Sequence, residues 1–151
     1  MKIFSLPLLA SAVFLTLHSI SCSGRSRKPD FPRAVELLNQ RDIAEFKRAV
    51  STSPRLTKQT DGFEGRTLLH LVFSKGVFNG GLKDFADFLI RAGSDVDAQD
   101  FQGMTPAHCA SFYGGGGKEA LDYLTSEGAD LSIKDVSGKS PLDYLNVKTS
   151  P

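Results

Sequence analysis

Few residues of this chain are of a type that could carry covalent or metal chemistry. Its 151 residues include three histidines and two cysteines. Cys109 directly follows His108, which suggests a nucleophile beside its base. Gly114 to Gly117 followed by Lys118 suggests a loop that wraps phosphate. A phosphate loop, however, needs G-x-x-x-x-G-K-[ST], and here Glu119 follows the lysine and would repel an anion. Asp95, Asp97 and Asp100 suggest calcium, but glycine at six and glutamate at twelve of the helix–loop–helix calcium motif are missing. These residues make neither a metal site nor a catalytic set, so the sequence predicts no enzyme, no metal and no cofactor.

The elements around these residues explain why they occur. Gly65-Arg66-Thr67-Leu68-Leu69-His70-Leu71 recurs as Gly103-Met104-Thr105-Pro106-Ala107-His108-Cys109-Ala110, and again as Gly138-Lys139-Ser140-Pro141-Leu142-Asp143-Tyr144-Leu145. A second register agrees: Ala92-Gly93-Ser94-Asp95 returns as Gly128-Ala129-Asp130-Leu131. Thr67, Thr105 and Ser140 are helix N-caps, and Pro106 and Pro141 suit the first helical position. Leu82, Phe85, Phe88 and Leu89, then Leu121 and Leu124, give each unit a second amphipathic helix. Gly93 and Gly128 end those helices, where a left-handed residue is favoured. Upstream, residues 34–38 and 43–50 form a further helix pair, with Asp42 and Glu45 as an approximate capping box. Arg33, Gln40, Arg41, Lys47 and Arg48 make its outer side polar.

The chain resembles the ankyrin repeat, whose unit is about 33 residues with the signature T-P-L-H-x-A. Leu68 replaces the proline in the first unit and Asp143 the histidine in the third. The resemblance implies an all-α solenoid with short β-hairpin-like fingers over residues 31–151: an N-terminal cap pair, two full repeats and a C-terminal half repeat. It makes His70 and His108 structural ties between units. It also puts Cys109 in an apolar slot, where a thiol is buried and inert.

The first 21 residues read as a secretory signal: Lys2, an apolar run from Ile3 to Leu17, then small residues at Ser19 and Ser21. Cys22 stands where bacterial lipoproteins carry their lipidated cysteine. Ordinary cleavage, which leaves a soluble protein, is the other reading, and either outcome places the protein in the periplasm. Residues 22–30 read as a flexible tether. From Cys22 onward 17 basic residues balance 17 acidic ones, which argues against nucleic acid as a partner. A membrane is expected only through lipid on Cys22.

The family resemblance implies a protein partner held by the fingertips and the exposed side of each first helix. Carried over residue by residue, these positions are Phe63, Glu64, Arg66, Ser74 and Lys75 in the first unit. In the second they are Phe101, Gln102, Met104, Phe112 and Tyr113, and in the last Val136, Ser137 and Lys139. Aromatic side chains and methionine are enriched in interface cores, so the middle unit is the expected centre of contact. Of its four large side chains, Phe112 is the one expected to join the core. Phe78, in a glycine-rich insertion between helices, is a second candidate anchor. Small exported proteins resembling this one include immunity or self-protection factors that occlude a cell-wall or membrane hydrolase. A structural or stress-related envelope scaffold is the alternative.

Overall fold

The computed structural model describes residues 30–149 except residue 77 and residues 114–116. The expected leader, Cys22 and the expected tether up to residue 29 lie outside the described residues. Among the described residues seven α-helices follow one another: α1 (Phe31–Gln40), α2 (Ile43–Thr52), α3 (Leu68–Ser74), α4 (Gly80–Arg91), α5 (Pro106–Tyr113), α6 (Gly117–Ser126) and α7 (Pro141–Thr149). A 3-10 turn at Pro54–Thr57 precedes the first finger. Among the described residues there is no strand, and a single antiparallel bridge, Thr60 to Thr67, closes that finger.

Local chemistry sets the helix ends. The Asp30 carboxylate accepts from the Arg33 amide (3.1 Å) and Asp42 from the Glu45 amide (3.0 Å). Half of the expected capping box at Asp42 is therefore present, while the Glu45 carboxylate turns outward to Arg48. Asn79 caps α4, so the insertion contributes Gly80 and Gly81 to the start of that helix. Gly93 and Gly128 follow α4 and α6 with φ of +92° and +94°, the left-handed turn that glycine adopts without penalty.

The helices stack in pairs. α3 and α5 pack side by side, as do α5 and α7, and α4 and α6 lie on the far side. Leu37, Leu38, Phe46, Leu68, Leu69, Phe73, Phe85, Leu89 and Leu124 form one continuous apolar core from the N-terminal pair through both full units, and Leu145 of α7 packs against it. The Phe46 and Phe85 rings meet edge to face, with centroids 4.8 Å apart, and join the N-terminal pair to the first full unit. Each pair thus buries against its neighbour an apolar flank that it cannot cover alone. Phe78 belongs to this packing: it is half-buried and stacks on Phe73 (5.1 Å), and its other neighbour is Tyr123 of α6 (5.1 Å). The expectation of a free anchor there is corrected, because the insertion folds the Phe78 ring between Phe73 of α3 and Tyr123 of α6.

Candidate functional site

Three fingers project from the stack, at Asp61–Arg66, Asp100–Met104 and Asp135–Lys139. Each turns on an aspartate whose Oδ1 collects backbone amides. Asp61 accepts from Glu64 (2.8 Å) and Gly65 (2.9 Å), Asp100 from Gln102 and Met104 (both 2.9 Å), and Asp135 from Ser137 (2.8 Å) and Lys139 (3.0 Å). Burial pushes the Asp61 carboxyl up, but the amides of Glu64, Arg66, Gly65 and Phe63 outweigh it and hold its pKa below the usual value. The glycines at the tips, Gly65, Gly103 and Gly138, have φ near +70°.

The fingers are tied to one another. The Phe101 amide donates to the Glu64 carbonyl (2.8 Å), and the Val136 amide donates to that of Gln102 (2.9 Å). Deeper in, the histidines complete the ties. The backbone amide of Thr67 donates to His70 Nδ1 (3.2 Å), so the ring proton sits on Nε2 and is donated to the Met104 carbonyl (2.9 Å). His108 repeats this: it accepts from the Thr105 amide (3.0 Å) and donates to the Lys139 carbonyl (3.0 Å). Both rings are fully buried, and burial lowers the pKa of His70. In the third unit Asp143 does the local half of this work, since its Oδ2 accepts from the Ser140 amide and hydroxyl (both 2.8 Å). Cys109 is buried, its thiol pushed up to about 12 by desolvation, which leaves little nucleophilic thiolate.

The surface outside these ties carries the candidate site. Phe63, Phe101 and Val136 each stand two residues before a finger glycine and form a row along the tips, exposed to 95%, 67% and 70%. One face of the Phe101 ring covers Gly65 so closely that a Cβ there would lie 2.5 Å from the ring. Phe112 and Tyr113, at the end of α5, are exposed to 47% and 42% and meet edge to face at 4.7 Å. The expectation that Phe112 belongs to the core is corrected. Outside α5 its ring partner is Tyr144 of α7 (5.5 Å).

Arg66 and Met104 are also corrected as free contact residues. The Met104 residue is 9% exposed, and the Arg66 side chain 12%. Each occupies the position after a finger glycine, which the next unit covers. Lys139 holds the same position in the last unit and is exposed. Arg66 instead braces the site. Its Nη1 pairs with Glu64 (2.8 Å), its Nε reaches Asp100 Oδ2 at 3.5 Å, and its Nη2 donates to the Tyr113 hydroxyl (3.0 Å). The guanidinium also lies 5.2 Å from the Tyr113 ring centroid. Gln102 is exposed between Phe101 and the second glycine, as expected. Tyr144 was missed by sequence reasoning. The signal was an aromatic one position after the third signature's aspartate; its hydroxyl donates to Asp135 Oδ2, and its ring lies under the Lys139 ammonium (5.2 Å).

The arrangement offers a rigid, partly aromatic surface. Among the described residues no group of three or more His, Cys, Asp or Glu is placed to hold a metal ion. Residues 32–135 match a family model described as ankyrin repeats (3 copies). No curated protein matches the chain.

Proposed function

This chain belongs to the ankyrin-repeat family, whose members are generally non-enzymatic protein-interaction modules, and we propose that it is exported to the bacterial envelope as an immunity or self-protection inhibitor that occludes a cell-wall or membrane hydrolase. The observation that carries this reading is the fingertip row of Phe63, Phe101 and Val136 running beside Phe112 and Tyr113. Leaving rings in water forgoes about 1.5–3 kcal/mol for each one that a partner could bury. A raised apolar row suits insertion into a cleft, where it would exclude substrate. The leader and the cysteine at residue 22 support export, with or without a lipid anchor.

The test is capture from an envelope extract, paired with hydrolase assays. The full chain should retain a hydrolase and reduce its turnover. Phe101→Ala and Tyr113→Ala should each weaken that complex by about 1–4 kcal/mol while leaving thermal unfolding nearly unchanged. Undiminished inhibition by both variants would remove the row as the inhibitory surface. Capture of a chaperone or redox enzyme with hydrolase activity unaffected would establish the scaffold role instead.

A further inference from the structure

The contact surface differs in charge from the domain that carries it. Resting on the protein-binding reading above, we infer that the partner offers an acidic segment, an apolar side chain flanked by carboxylates. All 17 acidic residues fall within residues 30–149, but only 14 of the 18 lysines and arginines do, so the folded part is net acidic. The contact face departs from that balance locally: Arg66 and Glu64 pair with each other, and Lys75 and Lys139 stand exposed as its unpaired cations among the described residues.

The carboxylates that could neutralise those cations are otherwise engaged. Glu64 is paired with Arg66. Asp100 and Asp135 are buried in the finger turns and hold backbone amides. Asp143 is spent on capping Ser140. Lys75 and Lys139 are exposed, and among the described residues neither has a carboxylate within 4.0 Å. Lys75 bonds to the Asn39 side-chain oxygen, and Lys139 lies over the Tyr144 ring. One cation thus comes from the first unit and one from the last, with the rings of the middle unit between them.

Docking on those rings draws water away from both ammonium groups. An apolar or basic partner would strand them, whereas carboxylates at either side of an apolar residue would pair with them. Opposite charges would also steer the encounter and make association fall with salt. Outward charges on α4 and α6 are mixed, with Lys83 bound to Asp87, so the same bias is not expected there.

The test is selection of a random peptide library, displayed on phage, against the immobilised full chain. Enriched peptides should be rich in Asp and Glu around an aromatic or aliphatic residue. Binding of one such synthetic peptide should fall about tenfold with Lys75→Glu and Lys139→Glu combined. It should fall with Phe101→Ala as well, and stay within about twofold for Lys118→Glu on α6. Neutral or basic peptides that still require Phe101 would overturn the acidic partner but leave the binding surface standing. Acidic peptides indifferent to Phe101→Ala would overturn the binding surface itself. Enrichment no greater than on a blank support, or a dimer of the chain that dissociates with Phe101→Ala, would overturn the acidic partner.

Discussion

The two joints of this stack use the same aspartate and finish it with different side chains. At the first, Asp100 holds its own finger through Oδ1 while Arg66 of the preceding unit reaches Oδ2. At the second, Asp135 holds its finger in the same way, but Oδ2 is taken by Tyr144, from within its own unit. Beyond the backbone tie between fingers that each joint has, side chains of the first unit's finger and first helix bridge the first joint through both His70 and Arg66. The second is bridged by His108, and its aspartate is satisfied locally. The Arg66 bridge also fixes Tyr113, so the joint with more cross-links is the one that sets the contact surface.

The strongest way to test this comparison is to remove the histidines. His70→Ala leaves the Met104 carbonyl and the Thr67 amide buried without their partner, at about 1–3 kcal/mol per group. A loss of about 2–5 kcal/mol in urea unfolding is expected, with the transition remaining single. His108→Ala should instead release α7 first and give a two-step transition. Two identical single transitions would show that the joints are equivalent.

Alanine at the finger glycines separates the joints by a second route. Both positions have positive φ, which costs a side chain about 1–2 kcal/mol. At Gly103 a Cβ would also press the backbone of the next finger, 3.2 Å from the Val136 nitrogen, which cannot turn away. At Gly65 it meets the Phe101 ring, which can rotate. Gly103→Ala should therefore cost about 2–3 kcal/mol in thermal unfolding, and Gly65→Ala about 1–2. The milder Gly65→Ala should nevertheless lose more of any binding that depends on Phe101. A larger stability loss at Gly65 than at Gly103 would contradict this assignment of the contacts.

Acid should weaken the first joint before the aspartates are affected. Burial lowers the His70 pKa below the ordinary 6.5. In a pH window just below 6.5 the unfolded chain therefore binds a proton that the fold excludes. Stability is complete above about pH 6.5 and falls as pH drops towards the folded pKa. Urea midpoints at about pH 7.5 and 5.5 should show the decline, and His70→Gln should flatten it. A flat wild-type profile over that interval would mean that the ring is not held neutral.

Much of this was legible because the signals were chemical. Thr67 caps α3 because its hydroxyl can serve an orphan amide, and His70 and His108 tie because a neutral imidazole can accept and donate at once. The exposed row of Phe63, Phe101 and Val136 followed from its register before the glycines. The errors fell where exposure depends on what lies next door. Met104 and Arg66 are covered by a following unit, while Lys139, at the same position, is not. Phe112 stays wet at the end of α5, and Phe78 is covered because Phe73 and Tyr123 meet across a seam that sequence spacing does not reveal.

Tyr144→Phe is the finest probe of the difference between the joints. It removes the hydroxyl that satisfies Asp135 Oδ2 and keeps the ring that flanks Phe112. That hydrogen bond raises the tyrosine pKa to about 12, the direction expected for a hydroxyl beside a carboxylate. Because Asp135 keeps the Ser137 and Lys139 amides, the loss should be about 1 kcal/mol. Made in the His108→Ala background, it should appear in the first of the two transitions, the one assigned to α7, and not in the main one. Arg66→Lys at the first joint keeps the charge but lacks the planar fork that reaches Asp100 and Tyr113 together. A spectroscopic change at Tyr113 in that variant, and none in Tyr144→Phe, would locate the control of the contact surface at the first joint. The reverse result would move it to the second.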